Sequence, residues 1–248
     1  MPYNIVVLIK QMPDLELVKV NPSTGEPILE GVPFRFETLS KNAVEEAVRL
    51  KEKNGGKVTA ILFGNDKGTQ VMKEAYAMGA DEGFVITGYQ EGNVSLTAKV
   101  LATKIGQIPH DLVLLGNQSA DSMSGLLGGK ISAILGLPYL SNALKLEVSG
   151  QKVRVQSSGE GENVTMEADM PAVISVSQEI NEPRFPPVMQ IIQAGRKKVN
   201  IEGSQIKEES GVRVLSRVAP KSERKRIIFE DMDKGAQEIA KVIKEVAK

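Results

Sequence analysis

The chain has 248 residues, enough for one large domain or one domain with an appendage. Apolar residues make up 41 % and charged residues 25 %, and 31 Lys/Arg balance 31 Asp/Glu, so nothing favours bulk attraction to nucleic acid or an anionic membrane. Cysteine is absent and His110 is the only histidine, which excludes disulfides, thiol nucleophiles, cysteine-held clusters and His-rich metal sites. The longest clean apolar run, Ile5 to Ile9, is far short of the ~20 residues of a membrane helix. It also lacks the basic flank and cleavage site of a signal peptide. The expectation is a cytoplasmic protein with no membrane insertion.

Residues 1 to 137 alternate between two patterns. Short runs rich in aliphatic residues at Ile5–Ile9, Val58–Phe63, Gly83–Thr87 and Leu112–Leu115 lack polar alternation, as strands buried on both faces do. Between them, helix-period segments run over Asn42–Lys53, Lys67–Met78, Val94–Ile105 and Ser124–Leu135. In the first, Ala43, Ala47 and Leu50 form one apolar line, while Glu45, Glu46, Arg49, Lys51 and Glu52 fall mostly on other faces. This alternation predicts a parallel α/β sheet with helices on both sides. The gap from Pro13 to Leu39 predicts a small hairpin, Leu17–Val20 out and Pro27–Leu29 back, around Asn21-Pro22-Ser23-Thr24-Gly25. It follows the first strand, near the edge where open α/β sheets bind ligands.

After Pro138 the pattern changes. Ala143–Val148, Lys152–Gln156 and Asn163–Glu167 read as a small antiparallel addition joined by Ser149-Gly150 and Ser158-Gly159-Glu160-Gly161. Pro171–Ser177 reads as one more buried strand. Asn181-Glu182-Pro183-Arg184-Phe185-Pro186-Pro187 predicts irregular chain. From Arg184 to Arg226 there are eleven Lys/Arg against four Asp/Glu, a balance of +7, which reads as an extended basic arm. It ends in a helix over about Asp231–Ala247, where Met232, Ala236, Ile239, Ile243 and Val246 form a narrow apolar seam. The division is 1–183 for a nucleotide-binding domain and 184–248 for a docking loop, arm and C-terminal helix.

The best candidate site follows the fourth strand: Gly116-Asn117-Gln118-Ser119-Ala120-Asp121-Ser122-Met123-Ser124-Gly125, running into Leu126-Leu127-Gly128. Free N–H groups and the positive dipole end at a helix start suit a phosphate, and glycines allow close approach. The plain alternative is that Ser122 or Ser124 only caps the helix and the glycines only pack. The loop matches neither the Walker lysine loop nor the three-glycine dinucleotide pattern. Phe63-Gly64-Asn65-Asp66 ends another strand and would line the same crevice, or be a plain turn. His110 precedes a strand start at the opposite edge, so acid–base catalysis has no support. Arg196-Lys197-Lys198 and Arg224-Lys225-Arg226 lack the interleaved aromatics of a nucleic-acid surface.

Several segments together resemble the beta subunit of the electron transfer flavoproteins, a FixA-like family. They are Val7–Asp14, the Ala43-Val44-Glu45-Glu46-Ala47 run to Lys51, Ala77–Asp81, Asp111–Gly116 with Gln118 and Asp121, Leu137-Pro138 and Pro171–Val173. Asn181-Glu182-Pro183-Arg184-Phe185, followed by Ala194 and the basic cluster, completes the set. The two most specific are the run from Ala43 and the stretch from Asn181 with its basic cluster.

The resemblance implies a Rossmann-like sheet of the adenine-nucleotide-binding type and an obligate alpha-subunit partner carrying its own FAD. This subunit would bury AMP in the ordinary type or a second FAD in the electron-bifurcating type. By position, the pocket would involve Leu8, Ile9, Glu37, Phe63, Gly64, Gly116, Asn117, Gln118, Ser119, Asp121, Ser124, Gly125, Leu126, Leu127 and Gly128. Arg184, Phe185, Val188 and Met189 would belong to the loop that docks on acyl-CoA dehydrogenases. The chain departs from the family pattern at Glu37-Thr38, where Asn-Pro is usual, and at Gly125, Leu126 and Leu127, where AMP-type members carry polar side chains. The reading is an electron carrier rather than an enzyme; the alternative is a stand-alone adenine-nucleotide-binding regulator or nucleotide hydrolase of the same fold.

Overall fold

A computed structural model describes residues 1–159, 161–206, 214–220 and 227–246. Glu160, the cluster Arg224-Lys225-Arg226 and Ala247 lie outside the described residues. The elements run β1 (Tyr3–Ile9), β2 (Gln11–Pro13), β3 (Lys19–Val20), β4 (Pro27–Ile28), β5 (Phe34–Phe36), α1 (Thr38–Asn54), β6 (Gly56–Gly64), α2 (Gly68–Met78), β7 (Glu82–Thr87) and α3 (Val94–Ile105). They continue with β8 (Leu112–Gly116), α4 (Leu127–Leu135), β9 (Tyr139–Ser149), β10 (Lys152–Ser158), β11 (Asn163–Asp169), β12 (Ala172–Val176), a 3-10 turn at Gln178–Ile180, α5 (Val188–Arg196), β13 (Asn200–Gly203) and α6 (Met232–Val246).

Nine strands form one sheet in the order β11-β10-β9-β12-β8-β1-β6-β7-β13. From β9 to β13 all neighbours are parallel; β10 and β11 continue the sheet in antiparallel fashion. The antiparallel strands predicted from the sequence are therefore an extension of the main sheet, because β9 pairs with both β12 and β10. Strand β1 is central, with Ile5 opposite both Val58 and Leu112. Its side chains divide by parity. Ile5, Val7 and Ile9 pack with Ala43, Val44 and Ala47 of α1 and Met72 and Ala75 of α2. Val6 and Leu8 pack with Leu96, Val100 and Leu101 of α3 and Ile131 of α4 on the other face. Two buried faces explain the uninterrupted apolar runs.

Helix α1 begins at Thr38, four residues before the predicted start. Glu37 is its cap: its carboxylate accepts from the Leu39 N–H at 3.0 Å and the Ser40 N–H at 2.7 Å. Helix α4 begins at Leu127, three residues later than predicted, because Met123 (φ 45°) and Gly125 (φ 62°) are left-handed and cannot continue a helix. The predicted hairpin forms as β3 and β4, and a second pair, β2 with β5, closes the same insertion.

The stretch read as an extended arm from Arg184 contains α5 and β13. Strand β13 pairs in parallel with β7 and becomes the edge of the sheet. The sequence signal was weak because β13 is four residues long and half exposed, and only Ala194 of α5 is buried.

The segment after β12 covers part of α1 that the sequence assigned to outer faces. Glu45 and Glu46 are 2 % and 8 % exposed. Arg184 donates to Glu45 through Nε at 2.8 Å and to Glu52 through Nη1 at 2.6 Å and Nη2 at 3.0 Å. Asn181 donates from Nδ2 to the Asn42 carbonyl at 3.1 Å and to Glu46 at 3.0 Å, while Asn42 Nδ2 donates to the Asn181 carbonyl at 2.8 Å. Burial pushes the Glu46 carboxyl upward, a shift that the Asn181 bond partly offsets. At Glu45 burial acts the same way, but hydrogen bonds from Arg184 and Arg49 overcome it and hold the carboxyl below its ordinary value.

The chain divides into two compact units, residues 1–19 with 28–216 and residues 20–27 with 217–248. In the second, the Ala219 N–H donates to the Gly25 carbonyl at 2.8 Å. Asp231 caps α6 by accepting from the Asp233 N–H at 2.9 Å, and Gly235 packs against Phe229. The seam residues Met232, Ile239, Ile243 and Val246 are exposed in the single chain. No helix among the described residues is long and apolar enough to cross a membrane.

Gly56 tests the central pairing. Its φ is +116°, and a Cβ there would sit 2.0 Å from the Tyr3 carbonyl oxygen, opposite it in β1. Gly56→Ala is expected to lower stability by about 3 kcal/mol, through strain and displacement of β1. Urea unfolding checks this; an unchanged midpoint would refute it.

Candidate functional site

The first strand and its neighbours end together. Ile9 closes β1, Gly64 closes β6 and Gly116 closes β8, and the chain crosses from one side of β1 to the other between β7 and β8. Such a switch point opens a crevice at the carboxyl ends of the strands. A cavity of about 330 Å³ occupies it. Leu8, Phe63, Leu101, Leu115 and Leu127 supply its apolar walls; Lys10, Glu37, Ser40, Asn93, Thr97 and the loop after β8 supply its polar ones. The Phe63 and Tyr89 rings meet edge to face with centroids 5.6 Å apart. Gly116 is required here: a Cβ would lie 2.6 Å from Leu39 Cβ, so α1 could not pass so close to the end of β8.

Lys10 ties the polar walls together. Its N–H donates to Ser40 Oγ at 3.2 Å, and its carbonyl accepts from the Glu37 N–H at 3.0 Å. Its ammonium crosses to the loop after β8 and donates to Asp121 Oδ1 at 2.6 Å and Ser119 Oγ at 2.9 Å. Ser119 Oγ in turn lies 2.9 Å from Ser122 Oγ. Burial works to raise the Asp121 carboxyl, yet the bonds from Lys10 and Ser119 hold it below its ordinary value. Glu37 faces the cavity with both oxygens engaged at the start of α1. That helix end is therefore already occupied by a carboxylate. Helix α4 has no side-chain cap, so its first N–H groups have no capping side chain to bond. Asn117 Nδ2 donates to Asn142 Oδ1 at 2.9 Å, which leaves Asn117 Oδ1 buried and without a partner among the described residues.

Most of the residues named from the sequence come together. Leu8, Ile9, Glu37, Phe63, Gly116, Asn117, Gln118, Ser119, Ser124, Gly125 and Leu127 line the cavity. Four others do not. Gly64 sits against Leu62 and Gln11, Gly128 against the Tyr139 ring, Leu126 is half exposed, and Asp121 acts through Lys10. Sequence reasoning missed Lys10, Ser40 and Tyr89, and it missed the start of α3. There, Asn93 caps the helix by accepting from the Leu96 N–H at 2.9 Å. An Asn after Gly92 at a helix start was a signal for that element, though not for its place at the site.

His110 stands at the far edge, with Nδ1–H donating to the Ile108 carbonyl at 2.8 Å. No group of three or more His, Cys, Asp or Glu among the described residues is arranged to hold a metal. The four residues assigned to docking divide. Arg184 turns inward to Glu45 and Glu52, whereas Phe185 is 99 % exposed and Val188 and Met189 are largely exposed at the start of α5.

Residues 28–205 match the family model for the electron transfer flavoprotein domain. Over 197 residues the chain is 37 % identical to the electron transfer flavoprotein subunit beta of Thermoanaerobacterium thermosaccharolyticum, covering 79 % of this chain and 76 % of that one. It is 34 % identical to the subunit of the same name from Clostridium acetobutylicum, over 80 % and 77 % of the two chains. The subunit from Bacillus subtilis is 27 % identical over 99 % of both. The strand-end cavity thus belongs to a chain of a known kind: this protein is a member of the electron transfer flavoprotein beta-subunit family, a family of electron carriers.

Proposed function

We propose that the chain is the nucleotide-holding subunit of a heterodimeric electron transfer flavoprotein, paired with an alpha subunit and passing electrons between flavin dehydrogenases and a downstream acceptor. The observation that carries this reading is the cavity where β1, β6 and β8 end. Its walls are largely apolar, its size is at the small end of the range for organic ligands, and an uncapped helix start adjoins it. The orphaned Asn117 Oδ1 is an acceptor suited to an N–H donor such as the amino group of adenine. When bound, a flavin supplies the redox chemistry; the chain's own residues bind it, orient it and exclude water.

FAD is favoured over AMP. A terminal phosphate dianion calls for a cation not already neutralised. The one cation among the described residues lining the cavity is Lys10, and it is paired with Asp121. A pyrophosphate diester spreads its charge and suits backbone donors at a helix start. The enclosed volume suits the adenosine half, so the flavin half would extend toward the partner subunit. On this reading the chain would be of the bifurcating type. Denaturing the native heterodimer and counting released nucleotides is expected to give two FAD; one FAD with one AMP would overturn the assignment.

The exposed ridge of Phe185, Val188 and Met189 is read as the surface for an external redox partner of the acyl-CoA dehydrogenase kind. Val188→Asp is expected to slow reduction by the dehydrogenase about tenfold or more, with bound flavin unchanged. Unaltered transfer kinetics in stopped flow would remove this role.

The apolar seam of α6 is read as part of the contact with the alpha subunit. Deleting residues 227–248 is expected to weaken the heterodimer at least tenfold. Equal affinity of truncated and full chains in sedimentation would refute it.

A further inference from the structure

We infer that Arg184 is a positioning residue for electron transfer: its clamp on α1, acting with a second anchor on α2, holds the Phe185 ridge in its docking shape before a redox partner arrives. The inference rests on the reading of that ridge as the docking surface, and it adds what keeps the ridge in place.

The ridge is short and poorly supported by its own packing. Phe185 is almost fully exposed, and Val188, Met189, Ile191 and Ile192 stand out from the first turns of α5. Only Ala194 of this helix is buried. A helix of nine residues is marginal without outside support. The support comes at its two ends.

At the front, Arg184 grips α1 with backbone and side chain. Its N–H donates to Glu45 Oε2 at 3.1 Å, and its Nε donates to the same oxygen at 2.8 Å. Nη2 donates to Glu45 Oε1 at 3.2 Å and to Glu52 Oε2 at 3.0 Å, and Nη1 to Glu52 Oε1 at 2.6 Å. A planar guanidinium forked onto two carboxylates is fixed in orientation as well as in place, which a lysine ammonium is not. Pro186 and Pro187, each with φ set by its ring, carry that orientation into α5. At the back, Ala194 joins the core. Beside it Lys197 Nζ donates to the Ala80 carbonyl at 3.1 Å and sits 4.4 Å from the centroid of the Tyr76 ring.

The donors of Arg184 are spent on this grip, although the residue adjoins Phe185. What it supplies to docking is order. A segment ordered beforehand has less freedom to lose when a partner binds. Loss of the clamp therefore weakens the encounter and leaves the transfer step of a docked complex as it was.

The test uses the full heterodimer and stopped-flow reduction by an acyl-CoA dehydrogenase reduced beforehand with its acyl-CoA. Arg184→Gln is expected to raise the half-saturating dehydrogenase concentration about tenfold while the limiting rate stays within about twofold. Amide hydrogen exchange over residues 185–193 is expected to speed up in the same variant. Arg184→Lys is expected to restore part of the affinity, since it keeps the charge and loses the fork. Glu52→Gln removes an exposed partner and leaves Glu45 paired, so it spares the fold; it is expected to raise half-saturation about threefold. In a Val188→Asp background, Arg184→Gln is expected to add less than about twofold, because the ridge it positions no longer docks. If Arg184→Gln and Glu52→Gln leave half-saturation unchanged, or lower only the limiting rate, the positioning role is refuted. If Arg184→Gln keeps its full effect in the Val188→Asp background, Arg184 does not act through the ridge and the inference is likewise refuted. If the dehydrogenase reduces wild type and Val188→Asp alike, or neither, the docking reading itself fails and takes the inference with it, a result distinct from the other two.

Discussion

The two-sided burial of β1 is the constraint from which the rest follows. Its residues Ile5 to Ile9 are covered by α1 and α2 on one face and by α3 and α4 on the other. Both edges are bonded, to β6 and to β8. A segment so enclosed has no room for polar side chains, because each would need a partner in an apolar interior. Polar chemistry can begin only where the strand ends. It begins there at once: Lys10 follows Ile9, and within one residue the chain passes from the driest part of the molecule to the wall of its cavity. The position of the site is thus fixed by the extent of the core.

The legible parts of the sequence were those set by local pattern. Apolar runs without alternation gave the parallel strands, and a strand stopping at Gly116 ahead of a polar loop gave the crevice. The loop itself was legible in content though not in shape. Nothing in Ser124 signals that Met123 and Gly125 turn left-handed and delay α4. Long-range polar pairing was not legible at all. Lys10 and Asp121 are 111 positions apart, and neither carries a sign of the other. The same holds for Glu45 and Glu46: helical periodicity puts carboxylates outside, and only tertiary cover brings them in.

The two sequence runs that most specifically carried the family resemblance prove to be halves of one contact. The stretch from Ala43 supplies Glu45 and Glu46; the stretch from Asn181 supplies the amide and guanidinium that satisfy them. Neither group lines the cavity. Their distinctiveness has a structural cause. A buried carboxylate is costly unless its partner is present in good geometry, so a change on either side leaves an uncompensated charge on the other.

Helix α1 participates in both sets of interactions. Its first turn, through Glu37 and Ser40, forms part of the cavity wall; its second and later turns, through Asn42, Glu45, Glu46 and Glu52, hold the segment that carries Phe185 and α5. Seventeen helical residues span about 25 Å, and a packed helix does not stretch. The helix therefore serves as a ruler. If the Phe185 ridge seats a redox partner, as proposed, its separation from the cavity is written into backbone geometry rather than chosen at each encounter. On that reading, for a process whose rate falls steeply with distance, the span of one helix would be a kinetic parameter of the protein.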